Sequence, residues 1–231
     1  MSELWLIRHG ETDWNRTRRM QGSLNVGLNA LGRSQAEQVA QRLATQAETE
    51  PFDAIYSSDL DRAHTTALPS AARLGLSVAL DAGLRERNYG VMQGLDRGEI
   101  ELLLPEASAA WKSRDPDREI PGGETLRVFH DRVVATLARI GIAHRGQRVL
   151  IFTHGGVLDI AYRHATGLGF DAERNHLLLN ASINRIVLDT DTWRVRLDDY
   201  HPVGRFGADL YVRTGDRFTA AEAIDLEPMQ K

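Results

Sequence analysis

The sequence predicts an α/β protein, a three-layer α/β/α sandwich around a mainly parallel sheet with one antiparallel edge strand. Short apolar runs of strand length alternate with amphipathic stretches through the first two-thirds of the chain, which is typical of parallel strands joined by crossover helices. Two runs, 4–7 and 149–152, are wholly apolar, as in strands that are covered on both faces. Two β-like runs, 182–188 and 193–197, flank a polar turn and indicate a hairpin at the sheet edge.

The first half of the chain is predicted as strand, helix, strand, helix, strand. The polar stretch 12–31, which follows the first strand, is predicted to be irregular, and a loop this long is usually functional. Ser57, Ser58 and Asp59 offer N-cap chemistry for the second helix, which Gly75 closes. The five elements cover approximately residues 4–7, 31–50, 52–56, 60–74 and 77–80.

The second half opens with a loop that glycines interrupt. We predict a charged segment between the helix at 96–104 and Pro121, to which no further helix is assigned, and an irregular tail after His201. Since no repeat or linker is visible, the sequence predicts one domain over residues 1–231. The predicted elements are the loop 84–98, helices at 96–104, from about 124 and at 157–167, a strand at 149–152, and the late hairpin.

The composition excludes several classes of function. A formal net charge of −4 provides no long-range attraction for nucleic acid or an anionic membrane. The chain has no cysteine, which excludes disulfides, thiolate metal sites and a cysteine nucleophile. No signal peptide is visible, and no apolar run reaches the roughly 18 residues of a membrane span. We therefore expect a cytoplasmic location.

Three predicted strands end in basic residues. Arg8 and His9 follow the first strand, Arg62 follows the second within a few residues, and His154 follows the strand at 149–152. Because the carboxyl ends of parallel strands meet at one edge of a sheet, these side chains are expected in one crevice. Two arginines select a dianion, and phosphate matches the guanidinium fork.

Several motifs, taken together, resemble the histidine phosphatase superfamily, which includes cofactor-dependent phosphoglycerate mutases and their phosphatase relatives. They occur in the family's order from residue 4 to about 156, and each alone would be weak. The motifs are Arg8-His9-Gly10 with Glu11-Thr12 and Asn15; Gln21-Gly22; Ser57-Ser58-Asp59-Leu60 with Arg62-Ala63 and Thr66-Ala67; Leu84, Glu86, Gly90 and Gln93-Gly94; Pro121 to Glu124; and Thr153-His154-Gly155-Gly156.

The resemblance implies a phosphoglycerate mutase-like fold and a role for each site residue. It implies that His9 attacks phosphorus and becomes phosphohistidine, and that Arg8, Arg62 and His154 bind the phosphoryl oxygens. Glu86 would protonate the leaving oxygen and then accept a proton from water. We expect no cofactor, and no metal, because the two histidines lack metal-binding spacing with nearby carboxylates. The residues expected to bind substrate are Asn15, Gln21, Gly22 and Gly155.

The expected activity is hydrolysis of a small phosphorylated metabolite, a phosphate monoester, through phosphohistidine. The alternatives are a cofactor-dependent phosphoglycerate mutase and a phosphate-binding module without turnover. Mutases of the family carry a long insertion after the Gln-Gly motif, whereas only 27 residues separate Gly94 from Gly122 here, which favours the phosphatase. Neither nucleic acid nor a membrane is expected as a partner, and the oligomeric state, a homodimer included, stays open.

Overall fold

The computed structural model describes residues 1–173, 176, 178–189 and 193–201. Within these ranges one sheet has six strands: β1 (Ser2–Arg8), β2 (Ala54–Ser57), β3 (Val78–Leu80), β4 (Arg148–Thr153), β5 (Ile183–Leu188) and β6 (Trp193–His201). Their order is β3-β2-β4-β1-β5-β6. The first four pair in parallel, β5 runs antiparallel to β1, and β6 runs antiparallel to β5. The predicted parallel sheet with an antiparallel hairpin at its edge is confirmed.

Seven α-helices occur in the described part of the chain. They are α1 (Asp13–Arg16), α2 (Ala30–Ala47), α3 (Asp61–Leu74), α4 (Arg97–Leu103), α5 (Pro105–Ser113), α6 (Leu126–Ala143) and α7 (Gly155–Thr166). None of the helices described is long and apolar enough to cross a membrane.

The sheet forms the middle of three layers. Side chains of β1 alternate between its faces: Leu4 and Leu6 pack with apolar residues of α6 and α7, whereas Trp5 and Ile7 pack with α2 and α3. The alternation follows from the two-residue period of a strand. Because both faces are covered by helices, the central residues of β1 and β4 are apolar on both faces, which explains the two apolar runs in the sequence.

A third, smaller apolar core lies in the segment between β3 and α6. Ile100 of α4 and Ala107 of α5 pack there with Met92 and Ile120. Met20 joins this core and its carbonyl accepts a hydrogen bond from Gly94 N at 2.8 Å. The loop that follows β1 is thereby attached to this small core.

Three local predictions need correction. The segment before Pro121 contains α5, which begins at Pro105; its buried face consists of small residues that give little periodic signal. Within the stretch predicted to be irregular, α1 is stabilised by a capping box between Thr12 and Asn15. Helix α3 begins after Leu60 with no side-chain cap, so the residues at 57–59 do not cap it. The tail after His201 lies outside the described residues.

Candidate active site

The carboxyl ends of β1, β2 and β4 bring four of the predicted residues together. Arg8 is the last residue of β1 and His9 follows it, Arg62 is the second residue of α3 after β2, and His154 is the N-cap of α7 after β4. Arg8 is paired with Thr153 in the parallel register of β1 and β4, and β4 also pairs in parallel with β2. The strand ends therefore meet at one edge, as in other open α/β sheets.

His9 is buried, with 3% of its surface exposed. Its Nδ1 lies 2.7 Å from the carbonyl oxygen of Gly10. Since a carbonyl can only accept, Nδ1 carries the proton and Nε2 keeps its lone pair. Burial, together with the cations Arg62 and Arg8, holds the pKa of His9 well below its usual value of 6.5. The ring is thus neutral at pH 7, and the Nε2 lone pair is available to react with an electrophile.

The backbone around His9 is held by contacts from three directions. Gly10 N donates to Thr66 Oγ1 at 3.0 Å, and Asn180 Nδ2 donates to the carbonyl of His9 at 3.0 Å. A Cβ at Gly10 would lie 2.4 Å from the carbonyl oxygen of Gly32. Only glycine allows so close an approach of two backbone segments, so this turn is tightly packed against α2.

Arg62 is a buried cation with 0% exposure. Its Nη1 donates to Leu24 O at 2.8 Å and its Nη2 to Gly22 O at 2.6 Å, whereas Nε has no hydrogen-bond partner among the described residues. Burial lowers the pKa of Arg62 to about 10, although the charge of Glu86 acts in the opposite direction. The side chain stays charged at pH 7 and retains a buried donor for a ligand.

His154 lies beside His9, with the ring centroids 5.2 Å apart. It is fully buried, and its Nε2 is 2.9 Å from Ser58 Oγ. Its Nδ1 has no partner within the part of the chain that the structure describes. Burial, followed by the charge of Arg62, lowers the pKa of His154 well below its usual value. The site therefore contains two neutral imidazoles next to two guanidinium groups.

Glu86 is half-buried in the loop after β3. Its Oε2 accepts a hydrogen bond from Gly156 N at 2.9 Å, and its Oε1 accepts one from Arg87 N at 2.8 Å. Gly156 is the second residue of α7, so the carboxylate also interacts with the partial positive charge of that helix N-terminus. The electrostatic interaction between Glu86 and Arg62 places the carboxylate in the same site.

Arg132 of α6 supports the loop that carries Glu86. Its Nη1 donates to the carbonyls of Gly83 at 3.0 Å and Arg85 at 2.9 Å. The same guanidinium binds both carboxylate oxygens of Glu124, through Nε at 2.9 Å and Nη2 at 2.8 Å. A bidentate pair of this kind fixes orientation as well as distance, so α6 anchors the residues that precede Glu86 and orients Glu124.

The four residues expected to bind substrate lie around the same edge. Asn15 Oδ1 accepts from Thr12 N at 3.1 Å, which leaves its Nδ2 as the donor. Gln21 is buried, and its Oε1 has no partner among the described residues. Gly22 uses its carbonyl to hold Arg62, and Gly155 is the first residue of α7. Their binding of substrate stays a prediction.

Sequence reasoning missed three contributors to the site. Asn180 supports the His9 backbone from beyond the recognised motifs, and no local pattern marks it. Ser58 was interpreted as a candidate cap, although its hydroxyl contacts His154. The sequence assigns no role of its own to Gly156, although its N–H donates to Glu86 Oε2. The sequence did contain a signal for Ser58 and Gly156, because both lie within the motifs that resemble the family.

The arrangement is suited to a tetrahedral oxyanion. Two cations lie near a neutral imidazole whose Nε2 can attack an electrophile, and Arg62 Nε and His154 Nδ1 are buried with no partner among the described residues. Glu86 supplies a carboxyl group for proton transfer. Among the described residues, no group of three or more histidine, aspartate or glutamate side chains could hold a metal ion.

Comparison with known proteins identifies relatives over most of the chain. The family model of the histidine phosphatase superfamily (branch 1) matches residues 4–199. Phosphoglycerate mutase-like protein 4 of Arabidopsis thaliana is 43% identical over 199 residues, which cover 85% of this chain and 84% of that protein. A metal-independent phosphoserine phosphatase of the same plant is 38% identical over 217 residues, covering 93% and 87% of the two chains. A mycobacterial glucosyl-3-phosphoglycerate phosphatase, solved with VO3, superimposes with a TM-score of 0.72 at 31% identity, covering 84% of this chain and 97% of that one.

Proposed function

Because this chain belongs to the histidine phosphatase superfamily, we propose that it hydrolyses a small phosphate monoester through a phosphohistidine formed on His9. The observation that carries the proposal is the hydrogen bond from His9 Nδ1 to the Gly10 carbonyl at 2.7 Å. It leaves Nε2 unprotonated and aims a neutral nucleophile into a site with two buried or half-buried arginines.

The first step transfers the phosphoryl group to the enzyme. His9 Nε2 forms a bond to phosphorus while the bond from phosphorus to the ester oxygen breaks, and Glu86 gives its proton to that oxygen. Arg8, Arg62 and His154 bind the three equatorial oxygens, over which charge spreads in the transition state. No metal ion is needed for this charge, since two guanidinium groups are already present.

The second step returns the enzyme to its starting state. A water molecule attacks the phosphohistidine, and Glu86 takes one of its protons as the oxygen bonds to phosphorus. The bond between phosphorus and His9 Nε2 breaks, which restores the lone pair and releases inorganic phosphate. Glu86 ends the cycle protonated, ready for the next leaving group.

The substrate is proposed to be a small phosphorylated metabolite. Two of the relatives are named as phosphatases of phosphoserine and of glucosyl-3-phosphoglycerate, and both compounds are small phosphate esters. The proposed phosphatase is further supported by the 27 residues between Gly94 and Gly122. A short segment over the site leaves the phosphohistidine open to water, whereas an enclosed site protects the phosphoryl group for its return to substrate.

A mutase is the second candidate, because one relative is named phosphoglycerate mutase-like. The discriminating assay supplies 3-phosphoglycerate with a catalytic amount of 2,3-bisphosphoglycerate. We expect inefficient isomerisation, and 2-phosphoglycerate formed far faster than free phosphate would favour the mutase. A phosphate-binding module without turnover would release no phosphate from any ester.

Rapid acid-free quenching after mixing with a labelled aryl phosphate tests the proposal. We expect an acid-labile phosphoenzyme in the wild type and none in His9→Ala, together with loss of turnover. His144→Ala is the matched control, because His144 is half-buried and precedes β4, whereas His154 follows the carboxyl end of that strand. Substantial label on the His9 variant would refute the assignment.

Four further expectations stay predictions of the sequence. They are a single domain over residues 1–231, a cytoplasmic location, the absence of nucleic-acid binding and the absence of membrane binding.

A further inference from the structure

The hydroxyl of Ser58 lies between the end of β2 and the ring of His154. Ser58 and His154 are both fully buried. Ser58 Oγ lies 2.9 Å from His154 Nε2 and 3.3 Å from the backbone nitrogen of Leu60. A backbone N–H can only donate, so Oγ accepts from Leu60. The hydroxyl hydrogen must then go elsewhere, and among the described residues the acceptor within reach is His154 Nε2.

The opposite arrangement leaves two groups unsatisfied. If His154 carried its proton on Nε2, Ser58 Oγ would accept two hydrogen bonds and its own hydrogen would be buried without an acceptor. His154 Nδ1, which has no partner in the described structure, would then present a bare lone pair to the oxygens of a bound phosphate. Both consequences are unfavourable, and they point to the same tautomer.

We propose that Ser58 is a positioning residue that holds His154 in the neutral tautomer with the proton on Nδ1, so that this ring offers an N–H donor to a phosphoryl oxygen. The inference rests on the proposed function, because it explains how a neutral imidazole binds an anion there. Ser58 touches no substrate and acts through His154. This contact also explains why the hydroxyl does not cap α3, the role that its sequence position suggested.

Nuclear magnetic resonance of the full chain with 15N-labelled histidine tests the tautomer directly, without substrate. In the wild type we expect a protonated Nδ1 and an unprotonated Nε2 on His154. In Ser58→Ala this preference is lost, and binding of inorganic phosphate weakens by about tenfold, the effect of one hydrogen bond to a charged group. Ser58→Thr, which restores a hydroxyl, recovers the Nδ1–H tautomer.

Ser57→Ala is the matched control. Ser57 is equally buried, but its hydroxyl donates to the Ser58 carbonyl at 2.8 Å and does not contact His154. We expect the wild-type tautomer and a phosphate affinity within about twofold.

A proton on Nε2 in the wild type overturns the proposal, even if no variant folds. Phosphate binding by folded Ser58→Ala as tight as in the wild type also overturns it. The tautomer is read in the resting protein, so an Nδ1–H signal in a chain that hydrolyses no ester would contradict the proposed function and leave this inference standing.

Discussion

The backbone N–H of Gly156 donates to Glu86 Oε2 at 2.9 Å, and a Cβ atom at Gly156 would lie 2.1 Å from Glu86 Oε1. The carboxylate therefore occupies the space that any other residue at this position would fill. The same contact places the carboxylate at the N-terminus of α7, where the helix favours negative charge. Glu86 is thus held by the backbone of a glycine that lies 70 positions away in the sequence.

Replacement of Glu86 by glutamine is expected to affect substrates unequally. Esters with poor alkyl leaving groups need the proton and should slow by about 10² to 10⁴-fold, whereas an activated aryl phosphate leaves more readily and should suffer much less. Single-turnover rates of the two substrates on wild type and Glu86→Gln measure the difference. Equal losses would exclude Glu86 as the general acid, and Glu11 would be the next candidate.

Substitution of Gly156 by alanine should reproduce part of that selectivity. The new Cβ displaces the Glu86 carboxylate, so kcat for an alkyl ester should fall by about tenfold or more, with a smaller loss for an aryl phosphate. Gly27→Ala is the control for an added methyl group, because a Cβ there meets nothing within 4 Å. Wild-type rates of Gly156→Ala on both esters would show that catalysis does not require Glu86 to be held at this position.

Removal of divalent metals is expected to leave activity unchanged. We propose that Arg8, Arg62 and His154 stabilise the negative charge on the phosphoryl oxygens. Because these groups are side chains of the protein, a chelator does not remove them. Hydrolysis of an aryl phosphate is measured before and after dialysis against a chelator, and again after magnesium or zinc is added back. Activity that disappears and returns only with metal would require a different account of the site.

The stability of the fold should decrease below pH 6.5 because of its buried histidines. The folded-state pKa values of His9 and His154 lie well below 6.5. Above pH 6.5 both rings are neutral in the folded and unfolded chains; as the pH falls, only the unfolded chain takes up protons. The free energy of unfolding therefore decreases, by at most about 1.4 kcal/mol per pH unit for each ring.

Urea unfolding at about pH 7.5 and about pH 5.5 measures this loss. His154→Gln removes one of the two titrating rings while keeping a neutral polar side chain, so its stability should fall less between the two pH values than that of the wild type. An identical fall in both proteins would show that His154 titrates alike in the folded and unfolded chains.

Local patterns were sufficient for most elements and failed where packing is unusual. The apolar runs of β1 and β4 predict strands because both faces of the sheet are covered, and the spacing of apolar residues predicts α2 and α6. Helix α5 was not predicted because its buried face consists of Ala107, Ser108 and Ala110. Small side chains pack against a small core without producing a strong hydrophobic period.

The sequence by itself determined which residues meet at the strand ends. Arg8, His9, Arg62 and His154 each follow a predicted strand, and parallel pairing necessarily brings such ends to one edge of the sheet. For Glu86 the resemblance to a family was needed, since it lies in a loop whose path no periodicity describes.

Only the tertiary structure decided how those residues are held. Asn180 reaches the His9 carbonyl across 171 positions of sequence, and Ser58 reaches His154 across 96. Such contacts depend on strand register and on the paths of loops, which are set by packing between distant segments rather than by local preference. Hydrophobic periodicity therefore specifies many of the strands and helices, whereas the proton position on His9 and the place of the Glu86 carboxylate depend on single hydrogen bonds whose geometry the tertiary structure sets.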